Sequence, residues 1–156
     1  MTTPVPNMTS FVSATLYLKS RELAPSIMAE QLGLNPTRIR HKGEFVTVER
    51  PELGRDPDNQ LILQVKRPVQ RSEAVFTQDD SATQLLNATI EELVERIEPV
   101  ADRLRQLPVS VSLMCAYRAM HPPQWFVLSN TLLRRLAALN ISVMVLWTSP
   151  DEKSET

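Results

Sequence analysis

The 156-residue chain has one cysteine, three glycines, two histidines and aromatic residues at only 5% of its positions. Each scarcity removes a class of chemistry. A lone thiol, Cys115, forms no internal disulfide, and with six methionines it fits a reduced interior, so a cytoplasmic location is expected. Gly33, Gly43 and Gly54 are too few for a phosphate-cradling loop or a dinucleotide fingerprint. No nucleophile elbow of the G-x-S-x-G kind occurs. Lys and Arg number 17 against 18 Asp and Glu, so no global positive field draws the chain onto phosphate backbones, which argues against a nucleic-acid partner. No apolar run approaches the length of a membrane span, and Met1 to Ser10 lacks the basic start and apolar stretch of a signal peptide, so no membrane partner is expected either.

What is present is ordinary for one globular domain: 42% hydrophobic and 22% charged residues. A chain of this length removes roughly two-thirds of its unfolded surface from water on folding. The expected organisation is a disordered start over residues 1–9, a single α/β domain over 10–148 and a disordered polar end over 149–156.

The hydrophobic period switches repeatedly along the domain. Phe11 to Lys19 alternates, with Val12, Ala14, Leu16 and Leu18 on one face, and predicts a half-buried strand. A short helix follows, with Pro25 at its first position, Ile27, Met28 and Leu32 toward the core, and Gly33 at its end. Phe45 to Glu49 and Leu61 to Lys66 read as a hairpin joined by the turn-rich ERPELGRDPDNQ. Residues 68–87 hold no period and predict a mobile loop. Thr89 and Glu92 match a capping box at the start of the longest helix, whose apolar stripe runs from Ile90 to Leu107 and should kink or divide at Pro99. Val109 to Tyr117 predicts a strand, and a turn with Pro122 and Pro123 follows. A third helix is capped by Ser129 or Asn130 and buries Leu132, Leu133, Leu136 and Leu139. Ile141 to Trp147 is the last strand. The order β-α-β-β-α-β-α-β predicts an α+β, ferredoxin-like plait: one mixed or antiparallel sheet with its helices packed on one face.

Three segments, LGLNPTRIRHKGE, EPVADRLRQL and WFVLSNTLLRRLAALNISVMVLW, resemble a family of small bacterial proteins known as domain of unknown function 4279. The resemblance covers most of residues 11–147, apart from the stretch between about Arg50 and Leu86. It implies a single-domain α/β protein of bacterial type and of uncharacterised role.

No catalytic set emerges, and the chain is read as a non-enzyme. A Cys-His hydrolase would need Cys115 beside His41 or His121, but Cys115 lies on the apolar face of a strand, where a thiol acts as a small hydrophobe. Met114, Cys115, Met120 and His121 hold soft-metal ligand types, yet Met114 and Cys115 point to opposite strand faces, and no pair has zinc-site spacing. No metal and no cofactor are expected. Two binding features remain. If all helices share one side of the sheet, the other side presents Tyr17, Ser110, Ser112, Met114, Ser142, Met144 and Leu146, a mixed surface of hydroxyls and methionines suited to another protein or to a second copy in a homodimer. Separately, an extended Arg38, Arg40 and Lys42 would form a basic comb for a carboxylate or phosphate. The leading expectation is a non-catalytic protein-binding domain, with a toxin-neutralising immunity protein as one such role. The alternative is an anion or metabolite sensor, or an enzyme without a recognisable signature, built on Arg38 to Lys42.

Overall fold

The computed structural model describes residues 10–69, 80–118 and 126–148. Its elements follow the expected order. Strand β1 (Phe11–Ser20) leads to helix α1 (Pro25–Leu32), and the short strand β2 (Arg38–Arg40) is followed by β3 (Asn59–Pro68). The long helix α2 (Asp80–Ile97) continues through a 3-10 turn at Glu98–Val100 into α3 (Ala101–Arg105). Strand β4 (Ser110–Arg118), helix α4 (Asn130–Ala138) and strand β5 (Ser142–Thr148) complete the chain. All strands join one mixed sheet in the order β2-β3-β1-β4-β5. Neighbours run antiparallel except β4 and β5, which are parallel and therefore need the crossover that α4 provides.

Register explains the core. Leu16 of β1 lies between Leu63 of β3 and Leu113 of β4, and the rows on either side bring Ala14 beside Cys115 and Leu18 beside Leu61. This face gathers Met28 and Leu32 of α1, Ile90, Leu93 and Ile97 of α2, and Leu132 and Leu136 of α4 into one buried cluster. Successive strand residues point to opposite sides, so the alternation in β1 commits its even positions to that cluster. Tyr117, within the cluster, meets Phe126 in a tilted ring contact with centroids 5.1 Å apart.

Local chemistry sets the helix limits. Pro25 opens α1 without losing a needed donor, and Gly33 closes it at φ 64°, with the Leu34 amide donating to the Ala29 carbonyl. Ser129 caps α4 by accepting from the Leu132 amide at 3.0 Å. Asn140 takes φ 56° after its end, a left-handed conformation that asparagine tolerates. Pro99 divides the long helix, as its position predicts. Arg135 of α4 holds a two-toothed pair with Glu98 at 2.9 and 2.7 Å, and its guanidinium keeps the Glu98 carboxyl below the usual range.

Four expectations need correction. The partner of β3 is Arg38–Arg40, not Phe45–Glu49, in which only Phe45 forms an isolated bridge, to Arg55. The reason lies upstream: the Thr37 amide donates to the Ile62 carbonyl, and the Gln64 amide donates to the Thr37 hydroxyl, so the edge of β3 is taken before the chain reaches Phe45. Thr89 and Glu92 do not start a helix. Thr89 is inside α2, donating to the Leu85 carbonyl and accepting from Arg67, which also pairs with Glu92. The stretch read as a loop over 68–87 is therefore helical from Asp80 onward. Finally, Ile27 and Leu133 are more exposed than their place in an apolar stripe suggests. The expected frayed ends, residues 1–9 and 149–156, and the Pro122–Pro123 turn lie outside the described residues.

Candidate functional site

The helix-free side of the sheet follows from the same register. Odd positions of β1 and even positions of the other strands share it, which sets Tyr17 beside Ile62 and Ser112, Thr15 beside Gln64 and Met114, and Ser13 beside Lys66 and Ala116. The parallel pairing of β4 and β5 adds Ser142 beside Ser112, Met144 beside Met114, and Leu146 beside Ala116. Tyr17, Ser110, Ser112, Met114, Ser142, Met144 and Leu146 thus share one side of the sheet, whereas Thr47, expected there as part of a strand Phe45 to Glu49, lies in the connection between β2 and β3.

That surface is not uniform. Toward β3 it is closed: Thr15, Ser13 and Gln60 are buried, and Ile62 is 1% exposed although it stands apart from the helix-side cluster. The Gln64 amide donates to the Thr15 hydroxyl at 3.2 Å, satisfying two of the polar groups held there. Tyr17, Ser112 and Met114 are half-buried. Toward β5 the face opens, with Ser110 exposed, Met144 63% exposed and Leu146 45% exposed. Met114, Ala116, Met144 and Leu146 form a contiguous apolar quadrant.

The charged strand residues on this side are all cationic, and the carboxylate held beside them, Asp56, is engaged by Arg40 and Gln60. Arg38, Lys66, Lys19 and Arg118 stand at its margins, and no Asp or Glu occupies a strand position of this face. Lys66 lies 4.0 Å from the centroid of Phe11, and Lys19 lies 5.7 Å from that of Tyr17, so each ammonium rests over a ring. Arg118 buries its Nε with no acceptor among the described residues. Phe11, Lys66 and Arg118 are additions that the sequence reading missed. The alternation in β1 puts Phe11 on the same face as Tyr17, whereas Lys66 and Arg118 reach it only through the strand register.

The basic segment is divided in use. Arg38 is exposed on this face. Arg40 is engaged: its Nε donates to Asp56 at 3.0 Å, and its terminal nitrogen donates to the carbonyls of Phe45 and Val46. Asp56 also accepts from Gln60 at 2.8 Å. The Lys42 ammonium donates to the Arg21 carbonyl, and its amide donates to Asn59. Two of the three cations of the comb therefore hold the connection between β2 and β3 in place.

Cys115 sits fully buried on the helix side, where desolvation pushes its thiol up to about 12. At pH 8 it is protonated and a poor nucleophile. We expect a thiol reagent such as dithionitrobenzoate to leave native protein unlabelled at pH 8 and to label one site in urea. Rapid labelling of folded protein would show that Cys115 is accessible. A groove beside α3 is lined by Leu104, Leu107, Val111, Leu139 and Ile141, and its one charged residue, Arg105, is occupied by Asp102 and the Ala138 carbonyl. Among the described residues no group of three or more His, Cys, Asp or Glu could hold a metal ion, and no helix is long and apolar enough to cross a membrane. Met120, His121 and Trp125 lie outside the described residues.

Neither a curated protein nor a solved structure matches the chain. A family model does, over residues 9–147, spanning the sheet, the helices and the open face just described. The chain belongs to the family of the domain of unknown function DUF4279.

Proposed function

We propose that this chain is a non-catalytic protein-binding domain that docks another protein on the open side of its sheet. The observation that supports this best is the quadrant of Met114, Ala116, Met144 and Leu146. It is apolar and bordered by small hydroxyl residues and cations. Solvent-facing sheet surfaces are usually polar, and methionines adapt their shape to a partner better than branched side chains. The marginal cations match a partner whose apolar contact is edged by carboxylates. Neutralising a toxin by occupying its surface is a specific form of this role, and a cytoplasmic bacterial setting is the context in which we place it. We read the first four strands, ordered β2-β3-β1-β4, as a ferredoxin-like plait to which α4 and β5 are appended. On that reading the appended strand carries half of the docking quadrant.

The test is binding to the product of a neighbouring gene, measured by calorimetry, with M144D and L146D combined in one variant. Both side chains are exposed, so the fold should persist by circular dichroism. Loss of two central apolar anchors should weaken binding by about 30-fold or more. Unchanged affinity, or protection from amide exchange appearing on the helix side instead, would sink the proposal. The second reading, an anion sensor built on Arg38, Arg40 and Lys42, is probed by a melting-point rise with phosphate or dicarboxylates that is lost in R38A.

A further inference from the structure

We propose that β5 pairs edge to edge with β5 of a second copy of this chain, antiparallel about a two-fold axis at Val145, so that two sheets become one. The two edges of the sheet are built differently. At one edge, β2 is only three residues long, carries Arg38 and Arg40, and continues into the segment clasped by Asp56, which are devices that discourage pairing. At the other, β5 is seven residues long, SVMVLWT, with no charge and no proline. Among the described residues β4 is its only strand neighbour, so alternate amides and carbonyls along its outer edge face away from the sheet. Val143 and Val145 are half-exposed on the helix side, and Met144 and Leu146 on the other, so the strand is apolar on both faces and uncovered on both.

A second copy satisfies these features together. In antiparallel pairing centred on Val145, Val145 falls opposite its own counterpart, Met144 opposite Leu146 and Val143 opposite Trp147, with Ser142 and Thr148 paired at the ends, so the central pairs are apolar and none is like-charged. A two-fold contact requires such self-complementarity. It would be lost if the strand carried even one central charge, because symmetry would set that charge against itself. Pairing one strand of this length buries less than the roughly 1,600 Å² of a standard interface, so association in the micromolar range is expected. The helices of both copies would lie on one side, and the two docking quadrants would meet across the axis on the other.

The test is sedimentation equilibrium of the full chain at concentrations up to about 100 µM. Wild type should dimerise reversibly. V145K and V145E should each weaken the dimer at least about 10-fold, since like charges would then be directly opposed, and mixing the two should restore a heterodimer. A monomeric wild type at the highest concentration, or V145K dimerising as wild type does, overturns the proposal. Amide exchange on wild type provides a check that needs no variant: β5 amides should be more protected at high concentration than at low, and equal protection counts against pairing. Val145 points to the helix side, away from the docking quadrant, so V145K leaves heterologous docking intact and the two proposals fail separately.

Discussion

Leu16→Ala should lower stability by about 3–5 kcal/mol, the upper half of the range for a buried leucine truncated in a core that cannot collapse around the loss. Leu16 has no exposed surface and sits between Leu63 and Leu113 in the central row of the sheet, beneath the helix layer, enclosed by buried residues of the same cluster. Ile62→Ala is the informative comparison. Ile62 is almost as buried, but on the other side of the sheet, where its strand neighbours are Tyr17 and Arg38. Long side chains near solvent can settle into the space it leaves, so its truncation should cost about 1–2 kcal/mol, nearer the cost of lost transfer free energy alone. Urea unfolding of both variants, with unchanged slopes, measures the difference. Equal costs would mean that the second side is packed as firmly as the first, and docking would then be confined to the β4–β5 quadrant.

How far these layers could be read from the sequence depends on what kind of signal each residue carries. The core side of β1 is written in a period of two, and the same alternation places Tyr17, Ser112 and Met144 on the reverse. Caps and breaks announced by Pro25, Gly33, Pro99 and Ser129 act within a turn of their own position, so they survive folding unchanged. Alternation favours Phe45 to Glu49 as the partner of β3 over the three residues Arg38 to Arg40 that pair with it. Pairing was settled instead by Thr37, whose backbone and hydroxyl bonds to β3 have no pattern in sequence. Thr89 and Glu92 misled for a related reason. A Thr-x-x-Glu spacing also lines up one face in mid-helix, and here that face meets Arg67 of the preceding strand β3. That every charged strand residue of the open face is a cation is invisible in the sequence, since Lys66 and Arg118 share that face only through register. The net charge of −1 concealed it further.

The second large effect concerns the long connection between β2 and β3. Asp56 is buried and accepts from both Arg40 and Gln60, while its backbone amide donates to the Glu44 carbonyl and its carbonyl accepts from Gly43. Arg40 carries the contact onward to the Phe45 and Val46 carbonyls, and Arg55 stacks over the Phe45 ring at 4.1 Å while donating to the Gly43 carbonyl. One carboxylate thus organises a segment that has few apolar contacts of its own. Asp56→Ala leaves a partly buried guanidinium and the Gln60 amide without their acceptor. The expected cost is about 2–3 kcal/mol, above the ~1 of an exposed pair and below the ~3–5 of a fully buried one. Asp56→Asn should cost about half as much, because the side-chain amide of Gln60 can turn to meet the new donor while the remaining oxygen still accepts from Arg40. The loss should be local: amide exchange at Gly43, Val46 and Asp56 should accelerate in Asp56→Ala while β1 and β4 keep their protection. Faster exchange across β4 as well would show that the clasp supports the whole sheet. Freed from Asp56, Arg40 would join Arg38 on the open side, so the same variant should bind phosphate more tightly than wild type if that segment is an anion site, and no better if its role is to hold the connection closed.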